Sequence, residues 1–113
     1  KGRGMSLPVC ELSDLVLERG TPALVAGKQI ALFLLGDGRV LGIQQRDPFS
    51  GANVISRGIV GSHGDQPTVT SPMYKQVWDL ETGVCLDPVG KEPVDLTIYR
   101  VVVEGEQVRV VLS

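Results

Sequence analysis

The six residues Ile30-Ala31-Leu32-Phe33-Leu34-Leu35 run directly into Gly36-Asp37-Gly38, and this junction constrains the fold more than any other segment. The run is the longest apolar stretch in the sequence, and it is far too short for the ~20-residue span that a bilayer demands. A short apolar run closed by Asp-Gly is a strand entering a hairpin, because Asp-Gly supplies the positive φ of a tight turn. The spacing therefore predicts a strand over 29–35 and its return over 39–44. A further strand over 22–26 precedes them and turns at Gly27, completing a three-stranded antiparallel meander.

The rest of the chain has the same character. Residues 6–10 read as extended, and residues 11–20 have room for one helical turn but not for a core helix. Residues 46–66, broken by Gly51, Gly58, Gly61 and Gly64, read as a long loop with space for one short strand. Short strands are expected over 68–71, 76–80 and 84–86, the last two joined by Glu81-Thr82-Gly83. Residues 87–93, with Pro88, Gly90 and Pro93, form a second loop. A final hairpin over 96–103 and 107–112 turns at Glu104-Gly105-Glu106 and is rich in β-branched residues. Its first strand carries apolar residues on both faces, which predicts burial on two sides. The fold class is all-β, an antiparallel β-sandwich or small barrel with two long loops at one end. The 113 residues suit one domain, assigned to 5–113, with Lys1-Gly2-Arg3-Gly4 taken as an expression scar ahead of Met5.

Charge and composition remove several functions. Eleven basic residues against thirteen acidic ones leave no excess to neutralise a phosphate backbone. Five aromatic residues are too few for a base-stacking platform. Cys10 and Cys85 form no C-x-x-C pair and no disulfide framework, so both are expected as reduced, buried small hydrophobes. With no apolar run behind the basic start, a cytoplasmic location is expected.

Two segments carry the functional signal: Asp47-Pro48-Phe49-Ser50-Gly51-Ala52, and Ser71-Pro72-Met73-Tyr74 with Lys75-Gln76-Val77-Trp78-Asp79 and the turn Thr82-Gly83. The first alone is ordinary turn chemistry, Asp before Pro with Gly closing. The two together resemble the paired cluster-binding loops of Rieske ferredoxins. The frame is kept in Pro48, Gly51, Ala52, Pro72, Trp78, Asp79, Thr82 and Gly83. The ligands are not: Asp47 and Ser71 stand at the cysteine positions, Phe49 and Tyr74 at the histidine positions. A Rieske centre needs two thiolates on one iron and two imidazoles on the other. Asp47, Phe49, Ser71 and Tyr74 cannot hold one, and His63, the only histidine, cannot replace two.

A Rieske-like domain with this loss resembles the small subunits of NAD(P)H-dependent nitrite reductase, over nearly the whole span 7–112. The resemblance implies an accessory subunit without a redox centre. It implies FAD, a four-iron four-sulfur cluster and sirohaem in a large subunit that gives nitrite six electrons to make ammonium in nitrate assimilation. No catalytic, cofactor-binding or metal residue is assigned to this chain. Arg46, Asp47, Phe49, Arg57, Tyr74 and Lys75 are the docking candidates, and three cations are expected to share the loop end. Phe49 fills the space left by the cluster, Tyr74 has a hydroxyl within reach of Asp47 or Ser71, and Trp78 anchors the core beneath the second loop. Phe49→Asp is expected to weaken assembly while leaving the fold intact. Two rivals are a free-standing module that binds a ligand or protein at the emptied site, and a ferredoxin-type electron carrier. A hydrolytic or isomerase role for Tyr74, Asp47 and Ser71 lacks any activated nucleophile–base pair.

Overall fold

A computed structural model describes residues 5–112. The tetrapeptide assigned as a scar lies outside the described residues. Ten strands and two single 3₁₀ turns follow one another: β1 Met5–Glu11, a 3₁₀ turn Leu12–Asp14, β2 Gly20–Val25, β3 Lys28–Leu34, β4 Val40–Gln44, a 3₁₀ turn Ile55–Arg57, β5 Ile59–His63, β6 Gln66–Thr70, β7 Val77–Asp79, β8 Cys85–Asp87, β9 Ile98–Glu104 and β10 Gln107–Leu112. They form a six-stranded sheet in the order β1-β10-β9-β4-β3-β2 and a four-stranded sheet in the order β5-β6-β7-β8, antiparallel throughout. The predicted meander is β2–β3–β4, and Gly38 takes the positive φ of +92° that the Asp-Gly signal implies. Asp37 shapes the same turn by accepting the Arg39 backbone N–H at 3.0 Å.

One expectation is met and one is corrected. The short strand for which residues 46–66 have space is β5, which pairs with β6 from Ile59↔Thr70 to His63↔Gln66 across a turn at Gly64. Its residues are mostly exposed, so no apolar face marked its position in the sequence. The strand buried on two sides, however, is not β9. Ile98 is 47% exposed and Val103 38%, and only Tyr99 and Val101 lean on the core. That role belongs to β3, whose alternate residues serve two separate cores. Ile30 and Leu32 join Leu15, Val25, Val40, Val108 and Val110 inside the curled six-stranded sheet. Ala31 and Phe33 face the opposite way, onto Ile43, Ile55, Val69, Trp78 and Leu80 between the two sheets. A strand with an apolar layer on each face reads as a continuous apolar run, which is what residues 30–35 are.

The 3₁₀ turn Ile55–Arg57 is clamped at Gly20. A Cβ there would fall 2.2 Å from the Ser56 carbonyl oxygen. Gly20→Ala is expected to cost about 2 kcal/mol through overpacking against backbone that cannot yield, read as a lowered urea midpoint with unchanged slope.

Candidate functional site

The site is built by three loops that leave the ends of β4, β6 and β8. Asp47, just after β4, is fully buried and fastens two of them. Its Oδ1 accepts the backbone N–H of Phe49 at 2.8 Å and of Ser50 at 3.4 Å. Its Oδ2 accepts the hydroxyl of Ser71, which lies just after β6, at 2.5 Å. The Ser71 oxygen in turn accepts the Met73 N–H at 3.1 Å, and Ser71 is itself fully buried. The backbone closes the first loop from Asp47 N–H to the Ala52 carbonyl and from Gly51 N–H to the Asp47 carbonyl. Gly51 does this at φ +79°, the left-handed conformation that favours glycine there.

Further side chains hold the loops to the scaffold. Gln45 binds the Ser56 N–H and hydroxyl at 2.7 and 2.9 Å, both residues being buried. Trp78 is fully buried on β7 and donates its indole N–H to the Val94 carbonyl at 2.8 Å, the partner its burial requires. Phe49 packs on Trp78 with ring centroids 5.9 Å apart. Asp79 accepts the N–H groups of Glu81 and Thr82, so the Asp79, Thr82 and Gly83 part of the motif is turn chemistry.

The two loops converge as expected, and Phe49 fills the space beneath them. Three docking assignments and one expected hydrogen bond need revision. Asp47 is buried and presents nothing to a partner. Phe49 is half-buried against Trp78, so Phe49→Asp would damage the core rather than spare the fold. Arg57 does not join the loop tip; it lines a separate groove with Glu18 and Arg19. Tyr74 does not bond to Asp47, whose Oδ2 is taken by Ser71; the tyrosine is 51% exposed. Arg46 is exposed, with its guanidinium 3.5 Å from where a Cβ on Gly51 would stand.

Tyr74 and Lys75 instead line a groove of about 660 Å³ with Phe49, Met73, Gln76 and the third-loop residues Val89 and Lys91. Lys75 and Val89 both adopt positive φ, +70° and +53°. Sequence reasoning gave Gln76 no role and took 87–93 only as a loop. The Pro88-Val89-Gly90 turn was the available signal, but nothing in it says which way Lys91 faces.

The donor set does not fit a two-iron two-sulfur cluster. The cysteine-equivalent positions offer oxygens, with the Ser71 hydroxyl donating a hydrogen bond to the Asp47 carboxyl group, and the histidine-equivalent side chains offer no nitrogen. Cys10 and Cys85 lie outside these loops, and burial pushes both thiols up, away from the thiolate that iron needs. Among the described residues, no three His, Cys, Asp or Glu side chains gather into a possible metal site. Nor is any helix among them long and apolar enough to cross a membrane.

Comparison with known proteins agrees with the loop pattern. The family model described as a Rieske-like [2Fe-2S] domain matches residues 6–111. The nitrite reductase (NADH) small subunit of Salmonella typhimurium is 35% identical over 80 residues, covering 70% of this chain and 74% of that protein. The nitrite reductase [NAD(P)H] large subunit of Klebsiella oxytoca is 41% identical over 75 residues, 66% of this chain but 8% of that much longer protein. A crystal structure from Mycobacterium tuberculosis, provisionally described as an NADH-dependent nitrite reductase small subunit, superposes with a TM-score of 0.88 at 38% identity, covering 97% of this chain and 96% of that one. The chain belongs to the Rieske-like domain family and, within it, to the small subunits of NAD(P)H-dependent nitrite reductase.

Proposed function

We propose that this chain is an accessory subunit of a cytoplasmic NAD(P)H nitrite reductase in nitrate and nitrite assimilation. It carries no redox centre and serves by binding the large subunit. FAD, the four-iron four-sulfur cluster and sirohaem belong to that partner, which delivers six electrons to nitrite. One observation carries the proposal: the loop pair that would grip a cluster is closed on itself by the Ser71–Asp47 hydrogen bond. A site spent on holding its own loops together has no donors left for iron. The match within a protein named a large subunit supports the partner, since a module like this one occurs there in the same polypeptide.

Arg46, Tyr74 and Lys75 are the exposed docking residues at the loop tip. Phe49 supports them from below, and Arg57 lies on another face.

The test is co-expression of the tagged chain with a nitrite reductase large subunit, with iron, acid-labile sulfide and the visible spectrum measured on both the complex and the chain alone. The expected result is flavin and sirohaem absorption in the co-purified complex, and a colourless, iron-free chain when expressed alone. Failure of the large subunit to co-purify would remove the accessory role. A red-brown isolated chain with iron and sulfide would make it an electron carrier instead.

A further inference from the structure

The two sheets have four edge strands, and three of them are protected against further pairing. β1 carries Pro8, with a break in its register between Pro8 and Cys10; β2 carries Pro22; β8 is three residues long and runs into Pro88. Prolines, bulges and short length are the devices that stop an edge from recruiting another strand. β5 has none of them. Its residues Ile59-Val60-Gly61-Ser62-His63 include no proline, carboxylate, lysine or arginine, and all but Val60 are exposed.

The Pro67 carbonyl fixes which way β5 presents its backbone. It accepts the Leu80 N–H at 2.9 Å, so Pro67 faces β7 and turns away from Ser62, its opposite number on β5. Bonding direction alternates along a strand, so Ile59, Gly61 and His63 bond to β6. The N–H and C=O groups of Val60 and Ser62 then point out of the sheet edge. Among the described residues, no backbone group outside the β5–β6 ladder bonds to them.

The two ends of this edge carry opposite charge. At its start, Arg57 and Arg19 line a groove of about 510 Å³ with Glu18. At its end, Asp65 lines a second groove with Asp37 and Arg39, which pair with each other. Among the described residues neither Arg57 nor Asp65 forms a salt bridge. Two antiparallel β5 strands centred on Gly61 set Val60 opposite Ser62, so the free groups of each meet those of the other. The same register sets Arg57 opposite Asp65 at both ends at once. Sliding the pair by two residues keeps the backbone bonds but puts Arg57 opposite His63 or Pro67. We infer that β5 is the seat of a second copy of this chain, joined across a two-fold axis at Gly61. Gly61 has no side chain to obstruct the narrow pair at the axis, and Asp65 of the second copy enters the groove beside Arg57 and Arg19. Any extended segment could supply backbone partners; the self-complementary charge is what selects a second copy. The inference is independent of the accessory role.

Sedimentation velocity of the isolated chain at low salt, from about 20 µM to about 1 mM, tests it. An edge contact is a small interface, so a monomer–dimer equilibrium with a Kd of about 100 µM is expected. Raising the salt to about 0.5 M should weaken it several-fold, because the charge pairs at its ends are exposed. Ser62→Pro removes an outward N–H without touching the β5–β6 ladder and should raise the Kd tenfold or more. Arg57→Asp alone and Asp65→Arg alone should do the same, each with an unchanged circular dichroism spectrum. The two charge changes together should restore the parent Kd to within about threefold, since the exchange keeps opposite charges face to face. A chain that stays monomeric to about 1 mM would overturn the inference. So would a dimer that Ser62→Pro leaves intact, or a double charge variant as weak as the single ones. Protection of the Val60 and Ser62 amides only in a complex with the large subunit, with the isolated chain monomeric, would give this edge to that partner and remove the second copy from it.

Discussion

Trp78→Ala is expected to lower the unfolding free energy by about 4 kcal/mol, the upper range for emptying a large buried aromatic site. The ring is fully buried between the sheets, in contact with the core that Phe33, Ile43, Val69 and Leu80 build. Truncation removes that apolar burial and leaves a cavity that β-sheet backbone on both sides cannot close. It also orphans the Val94 carbonyl, which takes the indole N–H at 2.8 Å, and takes away the surface on which Phe49 rests. Against a typical total of about 5–15 kcal/mol, the variant stays folded near 25 °C but unfolds on the order of 15 °C lower. Trp78→Phe is the milder change, since it keeps a six-membered aromatic ring and loses the N–H together with the rest of the indole. It is expected to recover about half of the loss. Calorimetry checks both; a Trp78→Ala midpoint within a few degrees of the parent would mean that the inter-sheet core collapses freely around the site.

Asp47→Ala is the second large effect, about 3 kcal/mol. The carboxyl group accepts three hydrogen bonds, and its removal strands the Phe49 and Ser50 N–H groups and the Ser71 hydroxyl in a buried place. Unlike the tryptophan change, this one acts on the loops. Hydrogen exchange should rise sharply at Phe49 and Ser50, while the β3 amides remain protected until global unfolding. Ser71→Ala removes one bond and is expected to cost about 1–2 kcal/mol, with the double variant showing positive coupling of about 1 kcal/mol. Strict additivity of the two changes would mean that the loops are held by backbone bonds and by Phe49, not by the Ser71–Asp47 link.

The two residues therefore do what a metal would do in a cluster-binding relative of this fold. Coordination ties loops together by bonds that exist only when the ion is present. Here a buried hydroxyl–carboxyl bond and an aromatic contact give the same closure from the chain alone. This is why loss of the four ligand types can leave the Rieske frame standing. It also leaves Tyr74, Lys75 and Lys91 exposed at the tip of the domain.

The pattern of turns and short apolar runs was enough to determine an all-β chain, the β2–β3–β4 meander, the closing hairpin and the pairing of the two loops. Each of these rests on local chemistry: Asp-Gly and Glu-Gly turns, β-branched runs, and Pro and Gly at fixed offsets. The residue types at Asp47, Phe49, Ser71 and Tyr74 likewise determined that a Rieske cluster has no donors, because that follows from composition at four positions. Only the tertiary structure decided which strand is buried on both faces. The sequences of β3 and β9 both carry apolar residues on each face, and burial depends on whether a second sheet packs there; it packs against β3. Only the fold, too, separated Arg57 from the loop tip and brought Lys91 to it, since the two are set by how distant loops cross in space. The Gln76 side-chain oxygen, buried without a hydrogen-bond partner among the described residues, belongs to the same class: whether an acceptor is satisfied depends on every neighbour around it, and no spacing along the chain encodes that.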